Sequence, residues 1–135
     1  MEKLIIFTDG GARGNPGPAG IGAVIYSEHK KLIAEVSEYI GVATNNQAEY
    51  KALVAAFRKA ADLGAKELDC YLDSELVVKQ LKGEYRVKDK DLAKLFLDIH
   101  NLSLSFKRIA YTHIPRERNK EADRLANEAM DRGMK

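Results

Sequence analysis

Apolar positions recur along the chain in two periods, and together these predict the order of its secondary-structure elements. Unbroken or alternating apolar runs, as in Leu4–Phe7 and Leu32–Ile40, are typical of strands. Spacings of three and four residues predict helices instead. The first predicted helix carries an apolar stripe of Tyr50, Leu53, Val54, Phe57 and Ala61. The predicted order is β-β-β-α-β-α-α-β-α.

This order predicts one mixed sheet. Short connections between the first three strands indicate an antiparallel meander, whereas helices between the first, fourth and fifth strands imply right-handed crossovers and parallel pairing. The fold class is therefore α/β, a five-stranded mixed sheet with helices on both faces. The first strand lies where the two halves meet, and ligands in open α/β sheets gather beyond the strand ends at such a reversal.

A glycine-rich stretch, TDGGARGNPGPAG, runs from Thr8 to Gly20. We expect the first strand to end at Asp9, and the glycines and prolines after it to form tight turns that bring backbone close to a ligand. A dinucleotide-binding loop is set aside because G-x-G-x-x-G is absent and the next segment has the pattern of a strand. Considered alone, Asp9 is explained as an ordinary turn aspartate.

Length and composition fit one domain. The chain has 135 residues, of which 45% are hydrophobic, so residues 1–135 are treated as one domain and expected to be monomeric. Cys70 is the only cysteine, which excludes an intrachain disulfide and a cysteine-based zinc site. No apolar run approaches the roughly 18 residues of a membrane span and no signal peptide is recognisable, so we expect a cytoplasmic protein without a membrane partner.

Basic residues are unevenly distributed although the net charge is only +2. Two clusters stand out as candidate phosphate-facing surfaces, although a solvated helix surface also explains the first one. The first cluster contains Lys79, Lys82, Arg86, Lys88, Lys90 and Lys94. The second contains Lys107, Arg108, Arg116, Arg118 and Lys120 and is the better candidate, because fewer acids dilute it.

Four acidic residues lie where the predicted fold would gather them. Asp9 and Asp73 end the first and fourth strands, Glu49 is expected in the first turn of a helix on the side facing the sheet, and Asp123 lies near the start of the last helix. The helix dipole stabilises an acid near a helix N-terminus by about 0.3–1 kcal/mol, which explains Glu49 and Asp123 when each is considered alone but does not explain why Glu49 faces inward.

The four acids together would repel one another unless a cation compensated their charge. Oxygen ligands without cysteine favour a hard divalent ion such as Mg²⁺ or Mn²⁺. Two ions bridged by shared carboxylates would suit an in-line phosphoryl displacement.

The chain resembles type 1 ribonuclease H in four motifs: TDGG with GNPGPAGIG, TNNQAEY, YLDSE, and HIPRERNKEADRLAN. The resemblance covers essentially the whole chain. It implies an endonuclease that hydrolyses the RNA strand of RNA/DNA hybrids and leaves 5′-phosphate and 3′-hydroxyl ends. It also implies that two Mg²⁺ ions, or Mn²⁺ as a substitute, are held by Asp9, Glu49, Asp73 and Asp123. His113 matches the family's mobile histidine, which assists proton transfer and product release, although HIPRER differs from the GH-type loop of the best-known bacterial members.

The resemblance further implies a set of substrate contacts. The backbone around Gly11 and Ala12, with Asn15 and Asn45, would contact 2′-hydroxyls and minor-groove edges of the hybrid. Thr44 and Asn46 would face the DNA strand. Local structure offers its own explanation for some of these residues, since Thr44–Asn46 can cap a helix, and capping is compatible with substrate contact.

One departure from the family pattern is the lack of a basic protrusion. A short segment, YRVKDKD, follows soon after Gly83, and the chain contains no Trp. The chain therefore resembles the compact archaeal and bacterial members. Two alternatives stay open: a catalytically silent nucleic-acid-binding module, which would not need all four acids, and another metal nuclease of the same fold, such as a junction resolvase, which would not need the GNPGPAG and TNNQ motifs.

Overall fold

A computed structural model describes residues 2–135, which form five strands, four α-helices and a short 3₁₀ helix. The strands are β1 (Lys3–Ala12), β2 (Gly17–Ser27), β3 (Leu32–Ala43), β4 (Glu67–Leu72) and β5 (Arg108–His113). The helices are α1 (Asn45–Asp62), α2 (Glu75–Leu81), α3 (Lys90–Ser103) and α4 (Lys120–Gly133), with the 3₁₀ helix at Arg116–Arg118. The predicted order of strands and α-helices is confirmed, and the 3₁₀ helix was not predicted.

The sheet has the order β3-β2-β1-β4-β5. Strands β1, β2 and β3 pair antiparallel, whereas β1, β4 and β5 pair parallel. The predicted mixed sheet is therefore confirmed, with β1 at its centre.

Side chains alternate along β1 and build a packed layer on each face of the sheet. On one face, Ile6 joins the main core together with Leu53 and Phe57 of α1. On the other face, Phe7 packs against Val24 and Leu125, which brings α4 onto the sheet. The prediction of helices on both faces is confirmed.

Strand β1 continues beyond the end that the sequence predicts. Its pairing with β4 stops at Thr8, opposite Leu72, but its pairing with β2 continues to Ala12. A side chain at Gly10 would overlap the backbone of Ala48, so this glycine permits close approach of α1 and does not mark a turn. The expectation that β1 ends at Asp9 is therefore wrong, and Asp9 lies where β1 loses its β4 neighbour.

Helix α1 begins with a capping box between Thr44 and Gln47, as predicted. Because Thr44 is the cap, the first turn contains no acidic residue, and Glu49 falls in the second turn. The prediction of Glu49 in the first turn is wrong, although its side chain is buried as expected. Ala61 is exposed and does not belong to the predicted apolar stripe. Gly133 is the last residue of α4, although a glycine more often follows the end of a helix.

No helix within residues 2–135 has the length and apolar character needed to cross a membrane.

Candidate active site

A cleft of about 500 Å³ opens beside Asp9 of β1 and Asp73, the residue after β4. One wall is the start of α1 and the other is the face of α4 that carries Asp123, Asn127 and Met130. Most of the residues singled out from the sequence line it: Asp9, Gly11, Ala12, Asn45, Asn46, Glu49, Asp73 and Asp123.

The carboxylates of Asp9, Glu49 and Asp73 are brought together in this cleft. Each offers an oxygen within 4.8 Å of the oxygens of the other two. Asp9 is 9% exposed and Glu49 is 7% exposed. The backbone N–H of Gly10 donates to Glu49 Oε1 at 2.7 Å and to Asp9 Oδ1 at 3.0 Å, so a single donor serves two carboxylates.

Burial and mutual repulsion disfavour the charged forms of these acids. Burial raises the pKa of Asp9 to about 7, and the charges of Asp73 and Asp123 act in the same direction. The pKa of Glu49 is also well above its ordinary value, first because of burial and then because of Asp9. Since Glu49 lies in the second turn of α1, the helix dipole does not explain an acid at this position.

Asp123 lies beside this group and not within it. The group of mutually close oxygens found among residues 2–135 contains Asp9, Glu49 and Asp73 only. Asp123 is half-buried, its Oδ1 is 3.6 Å from Nη2 of Arg116, and it contributes to the raised pKa of Asp9. All four carboxylates therefore share one cleft, with Asp123 at its edge.

Two asparagines connect the end of β1 to the start of α1. Asn45 Oδ1 accepts from the backbone N–H of Ala12 at 2.8 Å, and Asn15 Oδ1 accepts from the backbone N–H of Asn45 at 3.0 Å. Both oxygens are thus occupied, whereas neither side-chain NH₂ group donates to an acceptor within residues 2–135. Thr44 Oγ1 accepts from Gln47 N–H at 3.1 Å, which confirms its predicted capping role.

The comparisons with known proteins agree on one family. Residues 7–129 match the family model described as reverse transcriptase-like. The structure of LC11-RNase H1, isolated from compost, is 45% identical in sequence and superposes with a TM-score of 0.93 over 100% of each chain. The chain belongs to the ribonuclease H family. The resemblance stated from the sequence motifs is confirmed.

Further relatives of the chain are longer proteins. Bifunctional protein Rv2228c of Mycobacterium tuberculosis is 51% identical over 96% of this chain, and ribonuclease HI of Halobacterium salinarum is 46% identical over 96%. The chain spans 36% of the length of the first and 65% of the second. LC11-RNase H1 has also been solved in complex with an RNA/DNA hybrid, at 44% identity and a TM-score of 0.93, covering 98% of this chain and 99% of that one.

His113 lies outside the ribonuclease H cleft. It is the exposed last residue of β5, paired with Leu72. Its side chain is not among those that line the cleft. The positively charged side chain that lines the cleft beside Asp123 is Arg116.

Several polar residues at the ribonuclease H site were missed from the sequence. Arg13 lines the cleft and is held by Asp131 Oδ1 at 2.5 Å and, more loosely, by Asn127 Oδ1 at 3.4 Å. Asn119 donates to Asp73. No periodic signal covers either residue, because Arg13 lies in the connection after β1 and Asn119 precedes α4.

The second basic cluster is not one surface. Arg108 begins β5 and is close to Glu67 and Asp69, whereas Arg116 follows the opposite end of that strand. A strand of this length separates its ends by about 17 Å, at roughly 3.3 Å per residue. The prediction that Lys107, Arg108, Arg116, Arg118 and Lys120 form one phosphate-facing cluster is therefore wrong, because Arg108 and Arg116 lie at opposite ends of β5.

Proposed function

We propose that this chain is an endonuclease that hydrolyses the RNA strand of RNA/DNA hybrids and leaves 5′-phosphate and 3′-hydroxyl ends. The observation that carries the proposal is the gathering of Asp9, Glu49 and Asp73 oxygens within 4.8 Å in a cleft of a ribonuclease H family fold. The RNA/DNA hybrid bound to the related LC11-RNase H1 supports the choice of substrate. We propose residues 1–135 as one domain that carries this activity.

The acidic residues fit divalent cations. Glu49 Oε2 is buried without a hydrogen-bond partner among residues 2–135, and the pKa values of Asp9 and Glu49 are raised first by burial and then by the neighbouring acids, an arrangement that a bound cation would relieve. Hard carboxylate oxygens suit Mg²⁺, with Mn²⁺ as a substitute. Asp9, Glu49, Asp73 and Asp123 would hold two ions. When bound, such ions supply a nucleophilic water and neutralise negative charge on the phosphate and leaving oxygen.

The asparagine pair would recognise the RNA strand. Asn45 accepts from Ala12 N–H through its side-chain oxygen and donates its backbone N–H to the side-chain oxygen of Asn15. The side-chain NH₂ groups of Asn15 and Asn45 are therefore left as donors for a ligand. A 2′-hydroxyl accepts such donors, and DNA has no equivalent group. Together with the backbone of Gly11 and Ala12, these residues form the proposed contact to the RNA strand.

Other residues of the proposed site have less direct support. Thr44 and Asn46 would face the DNA strand from the start of α1. Arg116 places a positive charge at the edge of the cleft, within reach of a phosphate. His113 does not line the cleft, and its role in proton transfer and product release stays a prediction.

The two alternative functions lack a specific observation in their favour. A silent binding module would not need buried acids that raise one another's pKa values, since these acids destabilise the metal-free protein. A DNA-cutting metal nuclease would keep the acids but would not need the Asn15–Asn45–Ala12 network. The proposed function accounts for both features.

Cleavage of matched duplexes tests the proposal. RNA/DNA, RNA/RNA and DNA/DNA duplexes of one sequence are incubated with Mg²⁺, with Mn²⁺ or with EDTA, and the cut ends are mapped. We expect cleavage on the RNA strand of RNA/DNA, none of DNA/DNA, and none in EDTA. Equal cleavage of DNA/DNA would instead favour the general metal nuclease, and hybrid binding without cleavage would favour the silent module. Light scattering of the same samples tests the predicted monomeric state. The predicted cytoplasmic location is not addressed by these assays and stays a prediction.

A further inference from the structure

Asn119 is a buried amide that directly contacts the acidic cleft. It is 2% exposed and immediately precedes α4. Its Nδ2 group donates to Asp73 Oδ2 at 3.0 Å and to the backbone carbonyl of Thr8 at 2.8 Å. Both hydrogens of this amide are therefore used, one of them on a carboxylate of the cleft.

The usual structural role of asparagine at this position is not fulfilled. Asn119 is the N-cap of α4, where an asparagine side chain normally accepts a hydrogen bond from a backbone N–H of the first turn. Here the side chain makes no capping hydrogen bond. Helix initiation alone therefore does not explain its orientation.

The acceptors around the amide determine this orientation. Thr8 O and Asp73 Oδ2 are both acceptors, so the opposite amide orientation would place the carbonyl oxygen of Asn119 against them. In the observed orientation Asn119 Oδ1 is buried without a partner among residues 2–135. An unsatisfied buried acceptor is unfavourable, which indicates that donation to Asp73 and Thr8 outweighs it.

These contacts connect three elements that supply the cleft acids. Thr8 precedes Asp9 in β1, Asp73 follows β4, and Asn119 begins the helix that carries Asp123. We propose that Asn119 is a positioning residue that fixes the orientation of Asp73 and holds the start of α4 against the ends of β1 and β4. The inference rests on the proposed function to the extent that Asp73 is taken as a metal ligand.

Two substitutions separate donation to Asp73 from the other roles of Asn119. Asn119→Ser keeps a good N-cap residue but its hydroxyl is too short to replace the amide. Asn119→Leu keeps the approximate volume but neither caps nor donates. The matched control is Gln80→Leu, which removes a second buried amide, one that accepts from the Tyr50 hydroxyl at 2.6 Å and does not line the cleft.

Mn²⁺ binding to the protein without substrate is the first readout, measured by calorimetry with thermal unfolding in EDTA alongside. Loss of a hydrogen-bond partner of a metal ligand typically lowers metal affinity or activity by about 10- to 100-fold. We expect both Asn119 variants to weaken Mn²⁺ binding and to lower kcat on an RNA/DNA hybrid to that extent, with KM unchanged. Gln80→Leu should lower thermal stability while leaving the Mn²⁺ affinity unchanged.

The other outcomes separate the inference from its alternatives and from the proposed function. A loss of affinity in Asn119→Leu alone would assign the effect to capping, a loss in Asn119→Ser alone would assign it to packing, and an equal loss in Gln80→Leu would assign it to general destabilisation. If one Asn119 variant fails to fold, unchanged Mn²⁺ affinity in the other overturns the inference. If the Asn119 variants bind Mn²⁺ more weakly but the unmutated protein does not cleave hybrid, the inference is upheld and the proposed function is rejected. If both variants bind Mn²⁺ and cleave hybrid normally, the inference is rejected and the proposed function is upheld.

Discussion

Asp9 and Glu49 share one backbone donor, and this arrangement determines how their carboxylates behave. The N–H of Gly10 donates to both, while Glu49 Oε2 has no partner among residues 2–135. A single neutral donor does not offset the burial of two negative charges, so the raised pKa values follow from the geometry. Periodicity predicted that Glu49 faces inward, but the shared donor depends on the close approach of α1 to Gly10, which no sequence pattern shows.

The first prediction at this scale concerns Asp9→Asn. The change keeps the shape of the side chain and removes one charge and one proposed metal ligand. We expect loss of hybrid cleavage, with thermal stability in EDTA unchanged or increased because repulsion with Glu49 and Asp73 is relieved. Cleavage assays and thermal unfolding measure the two effects. Asp98→Asn, at an exposed position of α3, is the control and should retain both properties; retained cleavage by Asp9→Asn would contradict the proposed mechanism.

The second prediction concerns pH and the metal-free protein. Because the folded protein raises the pKa of Asp9 from 3.8 to about 7, this residue contributes most favourably to folding below its unfolded-state pKa. That contribution is lost as the pH rises through about 7. Thermal unfolding in EDTA should show that the stability of the metal-free protein falls as the pH rises from about 4 to about 7. The Asp9→Asn variant should show a shallower dependence of stability on pH. Identical pH profiles for the two proteins would show that Asp9 does not titrate as inferred.

At the scale of elements, the end of β1 shows what sequence patterns capture and what they miss. Leu4–Phe7 correctly predicted a central strand, since a strand covered on both faces typically has such a run. Gly10 and Gly11 indicated a turn because glycine weakens strands and favours turns. In the structure both continue β1, and Gly10 is required by contact with α1, a tertiary reason invisible in the local sequence.

The prediction at this scale compares alanine at these two neighbouring glycines. A Cβ at Gly10 would overlap backbone atoms of Ala48, whereas a Cβ at Gly11 would be 3.8 Å from its nearest neighbours, an ordinary contact. We expect Gly10→Ala to lower the free energy of unfolding by about 1–3 kcal/mol, as overpacking does. Gly11→Ala should change it far less. Urea denaturation measures both, and equal effects would mean that α1 does not approach β1 as closely at Gly10 as the structure shows.

At the scale of the whole molecule, topology explains which site residues could be predicted. Asp9 and Asp73 follow the last paired residues of neighbouring parallel strands, so strand order alone brings them together. Asn119, Arg116 and His113 lie around the chain reversal between β5 and α4, where a change of one residue redirects a side chain. His113 is placed by the end of β5, whereas the positions of Arg116 and Asn119 depend on the 3₁₀ helix at Arg116–Arg118. This helix carries no periodic signal, and so the sequence could not show that Arg116 and Asn119 reach the cleft while His113 does not line it.

The prediction at this scale is that cleavage depends on 2′-hydroxyls read by the connection between β1 and α1. A hybrid carrying 2′-deoxy nucleotides around one phosphate should be cut there about 10- to 100-fold more slowly, because each lost hydrogen bond is worth about 1 kcal/mol. Asn45→Asp keeps the acceptor for Ala12 N–H but removes the free donor.

If Asn45 contacts the 2′-hydroxyl, the deoxy nucleotides should slow cleavage by the Asn45→Asp variant by a smaller factor than they slow cleavage by the unmutated protein. This holds whatever the overall rate of the variant. The ratio of these two slowing factors, measured at fixed Mg²⁺ and salt, cancels the general effect of the added negative charge on phosphate binding. The control is a deoxy substitution several nucleotides away, which should leave cleavage unchanged in both proteins. Equal slowing of both by the deoxy substitution at the cut site would assign recognition of the RNA strand to groups other than Asn45.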